Sequence, residues 1–258
     1  MMQPFICPVC RGMLRREGGS LRCDACHTFD IARQGYVNLL PKKPDTLYED
    51  KALFAARRAV YESGFFDPLV EAILQALPMG RVLDAGCGEG SLLGRLLRDG
   101  REGIGLDIAK PAVQMAAGSF KEAAWCVGDL CNVPLADASV DAVVNVLTPA
   151  NYGEFLRVLR PEGRLLKVVP GSDHLQEIRA AAGKSPYAHT LAETLSVFTR
   201  YFDLVNQVPV HYTVACSQVL AGQVFTMTPM TAHVAEQAVQ AGPVTVDTVL
   251  LIGAARKV

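Results

Sequence analysis

The sequence predicts an α/β fold with a mainly parallel sheet, preceded by a small cysteine-rich module. From residue 81 onward, short apolar segments alternate with segments of helical period, which is typical of a sheet covered by helices on both faces. Before that point, two C-x-x-C pairs lie in a segment with few large apolar side chains. A chain of 258 residues, half of them apolar, is long enough for one large core with a small satellite.

Seven apolar segments carry the strand predictions. They are "RVLDAG", "EGIGLDI", "AAWCVGD", "VDAVVNVL", "GRLLKVVP", the end of "LSVFTRYFDLV", and "VTVDTVLLIGAARKV". Helices are predicted between the strands and also over "EDKALFAARRAVYESGFF" and "DPLVEAILQALP", which precede the first strand. We therefore divide the chain into a module at 1–41, a linker with two helices at 42–80 and an α/β domain at 81–258.

Composition and charge narrow the class of protein. No apolar run reaches the roughly 20 residues that span a bilayer, and "MMQPFICPVC" lacks the charged and apolar regions of a signal peptide. We therefore expect a cytoplasmic protein without membrane contact. Residues 1–60 hold ten Lys/Arg and six Asp/Glu (+4), whereas 61–258 hold fifteen and twenty (−5). A basic front end on an acidic body indicates a polyanionic partner, although an ordinary solvated surface explains the charge equally well.

The N-terminal module contains five candidate metal ligands. Cys7 and Cys10 form one C-x-x-C pair, and Cys23 and Cys26 form a second, directly followed by His27. Cysteine pairs on tight turns are typical of tetrahedral Zn²⁺ sites, and four protein ligands leave no open position for catalysis. The sequence therefore predicts a structural zinc ion on which the module depends for folding. Because one tetrahedral ion takes four ligands, Cys26 and His27 remain alternatives for the fourth position.

A glycine-rich turn follows the first strand of the α/β domain. "VLDAGCGEG" leaves an apolar strand, turns on Gly86, Gly88 and Gly90, and enters a helix, so that a ligand can approach the backbone closely. Asp84 lies just before the turn, Asp107 ends the second strand and Asp129 ends the third. Asp84 can brace the loop or hold a cationic ligand group through water, Asp107 suits the hydroxyls of a ribose, and Asp129 suits an adenine amino group. The set resembles class I S-adenosylmethionine-dependent methyltransferases, since a nicotinamide site would more usually read G-x-G-x-x-G.

The chain resembles one methyltransferase family along nearly its whole length. "CPVC…LRC…HTFDIARQGYVNLLP", "ARRAVYESGFFDPL", "LDAGCGEG", "FLRVLRPEGRLLKVVPGSDHLQEI" and "FTMTPMTAH" look like the bacterial large-subunit rRNA guanine-N1 methyltransferases of the RlmA family. The resemblance implies three cysteines and a histidine as zinc ligands, here Cys7, Cys10, Cys23 and His27. It further implies cofactor contacts at Phe66, Gly88, Glu89 and His174.

The acceptor site is expected after the fourth strand, where this fold class normally places it. In "NVLTPANYGEF", Asn145, Pro149 and Asn151 offer backbone or amide groups that could orient the acceptor base. No carboxylate or histidine in this segment suggests itself as the group that takes the proton. Basic residues of the front end would contact RNA phosphates. They are Arg11, Arg15, Arg16, Arg22, Arg33, Lys42 and Lys43.

The leading hypothesis is a methyltransferase that uses S-adenosylmethionine to modify N1 of a guanine in a hairpin loop of 23S rRNA. The resemblance also implies a homodimer. One alternative is a methyltransferase for a small molecule, with the zinc module as a lid or dimer contact. Another is a non-catalytic RNA-binding protein that retains a vestigial cofactor fold; the intact glycine turn and acids place it last.

Overall fold

The structure is a computed structural model that describes residues 4–41, 51–185, 191–231, 234 and 239–256. An eight-stranded mixed sheet with helices on both faces dominates it, and a three-stranded antiparallel sheet lies near the N-terminus. The predicted α/β fold with a small N-terminal module is confirmed. Within the ranges described, no helix combines the length and apolar character needed to cross a membrane.

The N-terminal module consists of short strands: β1 (Arg15–Glu17), β2 (Ser20–Arg22), β3 (Thr28–Asp30) and β4 (Val37–Asn38). β1, β2 and β3 form the antiparallel sheet, and Gly18, with φ of +61°, permits the tight turn between β1 and β2. The buried apolar side chains of this sheet region, such as Leu14 and Leu21, pack into the core of the main domain. The module therefore has no separate core of its own.

Two helices connect the module to the main domain: α1 (Lys51–Glu62) and α2 (Asp67–Ala76). Pro68 lies in the first turn of α2, where its missing N–H costs nothing. Both helices bury apolar residues against one face of the sheet, including Val60 and Ile73. They correspond to the helices that the sequence predicts before the first strand.

The main domain alternates strands and helices as expected. Its strands are β5 (Arg81–Ala85), β6 (Glu102–Asp107), β7 (Ala124–Val127), β8 (Val140–Val146), β9 (Leu159–Pro170), β10 (Phe202–Cys216) and β11 (Gly242–Ala255). Its helices are α3 (Ser91–Leu96), α4 (Lys110–Ser119), α5 (Tyr152–Val158), α6 (Gln176–Ala181), α7 (Leu191–Tyr201) and α8 (Gln218–Thr226).

The order of strands across the sheet is β10-β11-β9-β8-β5-β6-β7-β4. Neighbouring strands pair in parallel from β4 to β9, whereas β11 pairs antiparallel with both β9 and β10. The prediction of seven strands is corrected to eight, because β4 of the N-terminal module adds to the edge with Val37 opposite Cys126. This run of residues is too short to be identified as a strand without its neighbour.

The N-terminal module covers one part of a sheet face whose other part is covered by α5 and α7. The connection from β7 to β8, residues 128–139, contains no helical segment. The module occupies this part of the face instead, and Phe5, Leu14 and Leu21 belong to the same apolar cluster as Leu106 and Leu135. The opposite face is covered by α1 to α4, α6 and α8. The module is thus an integral layer of the fold.

One glycine in β6 is required by a close approach within the sheet. A Cβ at Gly105 would lie 2.1 Å from the Cζ3 atom of Trp125. Trp125, the single tryptophan of the chain, is buried and donates its indole N–H to the carbonyl of Phe120 at 2.7 Å. Its ring therefore cannot move aside without losing a buried hydrogen bond.

Gly105→Ala is expected to destabilise the protein by about 1–3 kcal/mol through overpacking against Trp125. Urea unfolding followed by tryptophan fluorescence measures the effect. The matched control is Gly118→Ala in α4, where a Cβ would meet no atom within 4 Å. Because alanine favours helix over glycine, the control should be neutral or stabilising by up to about 1 kcal/mol. Equal destabilisation by both changes would contradict the packing argument.

Candidate functional site

Four ligand atoms converge in the N-terminal module. The Sγ atoms of Cys7 and Cys23 lie 3.5 Å and 3.4 Å from Nδ1 of His27, and Sγ of Cys10 lies 3.6 Å from that of Cys23. All four ligand atoms lie within 4.8 Å of one another. A tetrahedral zinc ion with Zn–S bonds of about 2.3 Å requires ligand separations of just under about 4 Å. The donor set and its geometry therefore fit a closed, structural zinc site.

Cys26, the alternative fourth ligand, stays outside this cluster. Its thiol is exposed and lies 3.9 Å from the carbonyl oxygen of Asp24. The left-handed backbone of Cys26, with φ of +65°, turns the chain so that the next residue, His27, faces the other three ligands. The structure thus selects His27, as the resemblance implies.

The metal cluster is attached directly to the β7–β8 connection. Phe5 pairs with Leu135 in an isolated antiparallel bridge, and the amide of Ile6 donates to the carbonyl of Pro134 at 3.0 Å. Arg11, which directly follows Cys10, donates to Oδ1 of Asn132 at 3.1 Å, and its guanidinium lies 3.9 Å from the carboxylate of Asp137. Its guanidinium therefore has partners within the protein, but 40% of the side chain is exposed, and its phosphate contact stays a prediction.

The other basic residues of the module differ in their partners. Arg15 pairs with Asp24 at 2.6 Å and Arg22 with Glu17 at 3.4 Å, in both cases at the surface. Arg16 donates to the carbonyl of Gly18, and Arg33 is exposed. Exposed pairs of this kind contribute little to stability and exchange readily for other partners. Lys42 and Lys43 lie outside the described residues.

The glycine turn between β5 and α3 has the backbone that its sequence requires. Gly86, Gly88 and Gly90 have φ of +87°, +53° and +88°, a region that favours glycine. A Cβ on Gly90 would lie 2.7 Å from that of Ala116, so this glycine permits the close packing of α3 on α4. A Cβ on Gly86 would lie 2.5 Å from Thr148 in the loop after β8.

The three acids of the site lie at the carboxyl ends of adjacent strands. Asp107 accepts from the amides of Gly88 and Ala109, each at 2.8 Å, and burial raises its pKa. Asp129 accepts from the amide of Cys131 at 2.8 Å. The three strands β5, β6 and β7 are parallel neighbours, which brings the acids to one edge of the sheet.

Asp84 has the most perturbed environment of the three. Its side chain is buried, and Oδ2 is the one buried side-chain oxygen or nitrogen in the described part of the chain that lacks a hydrogen-bond partner. Burial, together with the nearby carboxylates of Asp107 and Glu89, raises the pKa of Asp84 to about 8. An unpaired buried acceptor beside a glycine-rich turn fits a ligand with a cationic group.

Glu89, the acid within the turn, is committed to the protein itself. Its Oε2 accepts from Arg58 at 3.0 Å and from the hydroxyl of Ser91 at 2.7 Å. Arg58 also donates to the carbonyl of Glu89. Although burial raises the pKa of Glu89, the bonds from Ser91 and Arg58 oppose the shift. Its carboxylate therefore ties α1 to the beginning of α3.

Phe66 and His174 are both buried. The ring of Phe66 packs on those of Tyr61 and Phe65, with centroid distances of 5.1 and 4.9 Å. His174, in the loop between β9 and α6, accepts from the amide of Asp247 at 3.4 Å through Nδ1. Burial lowers the pKa of His174 to about 4, so the imidazole is neutral near pH 7.

Of the predicted acceptor residues, Asn145 lies near the end of β8, and Pro149 and Asn151 lie in the loop that follows it. The amide of Asn145 donates to the carbonyls of Ala85 and Pro149, at 2.8 and 3.3 Å, and its Oδ1 accepts from Lys167 at 2.6 Å. Asn151 caps α5 by accepting from the amide of Glu154. The polar groups of Asn145 are thus all bonded within the protein.

Sequence reasoning missed two basic residues near the site. Lys167, in β9, is buried, and burial lowers its pKa to about 8. Its signal was a lone lysine in the apolar run "RLLKVVP". Arg57 donates to the carbonyl of Met227 at 3.0 Å, and its Nη1 lies 3.3 Å from where a Cβ of Gly88 would be. Within α1 it resembled any solvated arginine.

The strand order, the glycine turn and the acids at the ends of the next strands define a class I methyltransferase. Comparison with solved structures supports this fold. A chain in the complex between the Haloferax volcanii Trm112 methyltransferase activator and a protein assigned as a methyltransferase has a TM-score of 0.57 at 20% identity; the match covers 83% of this chain and 99% of that one. A Streptomyces coelicolor A3(2) geranyl diphosphate C-methyltransferase has a TM-score of 0.50 at 14% identity, and the match covers 81% of this chain and 85% of that one.

Sequence comparisons identify the family. The model described as "RlmA, N-terminal" matches residues 5–44, and one described as "Methyltransferase domain" matches residues 82–163. The Streptomyces fradiae 23S rRNA (guanine(748)-N(1))-methyltransferase is 38% identical, covering 88% of this chain and 85% of that protein. Bacillus subtilis (strain 168) YxjB, provisionally named for guanine-N1 methylation of 23S rRNA, is 34% identical, covering 96% of both. The chain belongs to the 23S rRNA (guanine-N1)-methyltransferase family.

Cys10→Ser is expected to release the metal, because it removes one of the four converging ligands. Elemental analysis of the purified protein should find about one zinc ion per chain before the change and a large loss after it. Cys26→Ser is the matched control, since it alters the thiol of the second C-x-x-C pair that lies outside the cluster, and it should keep the zinc. Loss of zinc from the control alone would contradict the ligand set.

Asp84 gives the site a pH dependence of known sign. With its pKa raised to about 8, Asp84 is largely protonated at neutral pH, and a bound cationic amino group favours the ionised form. The affinity for S-adenosylhomocysteine, measured by calorimetry, should therefore rise from about pH 6 to about pH 8. Asp84→Asn should abolish this rise, since titration of the ligand is common to both proteins. An equal rise in the variant would exclude Asp84 as its source.

Proposed function

We propose that this chain transfers a methyl group from S-adenosylmethionine to N1 of a guanine in a hairpin loop of 23S rRNA. The observation that carries the proposal is that one chain contains both the Cys3His cluster and the acid-lined glycine turn. This chain also aligns with 96% of the length of a relative from this family. Residues 1–41 would recognise RNA, 42–80 connect, and 81–258 bind the cofactor.

The cofactor supplies an electrophilic methyl group on sulfur, and the surrounding residues would hold it. Asp107 would accept hydrogen bonds from the ribose hydroxyls, and Asp129 would accept one from the adenine amino group. The unpaired Oδ2 of Asp84 would accept from the amino group of the methionine part. The positive φ angles of Gly86, Gly88 and Gly90 shape the turn that the cofactor would approach. Phe66 and His174 are proposed contacts because the family resemblance implies them.

Glu89 is proposed to act through the protein rather than by direct contact of its carboxylate. Its bonds to Arg58 and Ser91 fix the beginning of α3, and its backbone lies in the turn next to Gly88. The cofactor contact implied by the resemblance would then come from the backbone of residues 88 and 89. This arrangement keeps a buried carboxylate paired while its amide remains available to a ligand.

The acceptor guanine would lie against the loop after β8. Methyl transfer requires that N1 loses its proton as the N–CH3 bond forms and the S–CH3 bond breaks. Most of the rate enhancement would come from holding N1 in line with the methyl group. Asn145 is proposed to set the loop, with Pro149 and Asn151 holding its shape through their own internal bonds.

RNA binding is proposed for the exposed basic residues of the module. Arg15, Arg16 and Arg22 lie on the β1–β2 hairpin, and Arg33 lies beyond β3. Arg15 and Arg22 would exchange their surface ion pairs with Asp24 and Glu17 for contacts with phosphate groups. The target base must leave its stack to meet the methyl group, which a hairpin loop makes easier than a duplex does.

Two further parts of the proposal rest on the resemblance. They are a cytoplasmic location, where ribosomal RNA is found in bacteria, and a homodimer. Sedimentation of the full chain with and without an RNA hairpin measures the oligomeric state, and a monomer under both conditions would exclude the dimer.

Methyl transfer from labelled S-adenosylmethionine to large-subunit rRNA, taken from a strain that lacks this protein, tests the activity. We expect one N1-methylguanine in a hairpin loop, located by mass mapping of RNase fragments. Asp107→Ala serves as the control, because loss of the proposed ribose contact should reduce transfer at limiting cofactor. Cofactor binding without transfer to any guanine would overturn the proposed acceptor.

A further inference from the structure

The loop after β8 is joined to the cofactor turn by direct contacts. Thr148 packs so closely on Gly86 that a Cβ at Gly86 would lie 2.5 Å from its Cγ2. The amide of Asn145 donates at 2.8 Å to the carbonyl of Ala85, the residue that precedes Gly86. The two loops that would hold the cofactor and the acceptor therefore share one buried contact region.

Lys167 holds this contact region from the neighbouring strand. Its Nζ donates to Oδ1 of Asn145 at 2.6 Å and to the carbonyl oxygen of Thr148. The side chain is buried, and no carboxylate among the described residues forms an ion pair with it. Such an amine is costly to bury, so its two bonds to a single loop are its evident compensation.

The loop held in this way presents an apolar residue in a strained conformation. Leu147 has φ of +51°, a left-handed backbone that costs a residue with a side chain roughly 1–2 kcal/mol. Its amide donates to the carbonyl of Val168 at 3.1 Å, and 39% of its surface is exposed. The carbonyl of the next residue, Thr148, accepts from Lys167, and the side chain of Asn145, two residues before Leu147, donates to Ala85.

We propose that Lys167 is a positioning residue for methyl transfer, which acts through Asn145 and the carbonyl of Thr148. It fixes the turn at residues 147–149 against the cofactor turn and thereby directs Leu147 towards the acceptor base. The role rests on the proposed function in so far as it concerns the acceptor. The link between the two loops is a property of the chain itself.

The central variant is Lys167→Met, which keeps the apolar stem and removes the amine. Hydrogen exchange of the peptide covering residues 145–151 should accelerate, because the turn loses two of its bonds, while exchange in β5 and β6 stays unchanged. This readout needs no RNA and is independent of the proposed function. In the transfer assay, kcat should fall by about 10- to 100-fold, since misplacement of the reacting groups is costly. Kd values for S-adenosylhomocysteine and for the RNA should remain within about twofold.

Lys121→Met is the matched control. Lys121 also donates to two backbone carbonyls, those of Gln34 and Ala117, but it lies two residues beyond the end of α4, away from the loop after β8. It should change neither exchange in residues 145–151 nor kcat. Should Lys167→Met fail to fold, Lys167→Gln carries the same test, because its shorter neutral side chain removes the ammonium group but keeps a polar donor in the buried site.

Three results would overturn the proposal. They are unchanged exchange in the loop, an unchanged kcat despite faster exchange, and a fall in kcat matched by an equal loss of cofactor affinity. If the wild-type protein methylates no guanine, the exchange experiment still decides whether Lys167 holds the loop, so the two proposals fail separately.

Discussion

The structure depends on how one apolar face of the sheet is covered. Parallel strands require cover on both faces, and the connection from β7 to β8 supplies no helix for this purpose. The N-terminal module (residues 1–41, hereafter the ribbon) takes that place, although its short strands hold too few apolar residues to fold alone. A metal ion that fixes four ligands of the ribbon therefore also stabilises the interface on which Leu106 and Leu135 are buried.

The cofactor edge shows how buried carboxylates can serve both fold and ligand. Asp107 holds the amides of Gly88 and Ala109, so the same group that would accept ribose hydroxyls also shapes the turn. Glu89 is satisfied by Arg58 and Ser91. Asp84 alone keeps a buried oxygen without a partner. The carboxylates of Asp107 and Glu89 thus have partners without a ligand, whereas a hydrogen bond to Oδ2 of Asp84 would favour binding.

Much of this arrangement could be predicted from local sequence signals. The glycine turn, the acids after β6 and β7, and the C-x-x-C pairs each occupy short segments whose spacing dictates their chemistry. The α/β fold class follows from the alternation of short apolar segments with segments of helical period. These features need no knowledge of distant residues, which explains why they agree with the structure.

The remaining features depend on contacts between distant segments. The two residues of β4 become a strand only beside Cys126. Arg11 bonds to Asn132, which lies 121 residues later in the chain. The position of Cys26 outside the ligand cluster depends on one backbone angle, and the side chain of Asn145 is bonded by Lys167, twenty-two residues later in the chain. No local pattern encodes such pairs.

The shared core of ribbon and sheet limits how enzymes of this architecture can be recombined. An appended recognition module can be exchanged between relatives by cutting at a linker, since few contacts cross it. Here the boundary runs through packed side chains, from Phe5 against Leu135 to Val37 beside Cys126. A chimera with a foreign ribbon would have to carry its own β7–β8 connection as well. New RNA specificity would therefore be gained more readily on the exposed hairpin of β1 and β2 than by replacing the whole ribbon.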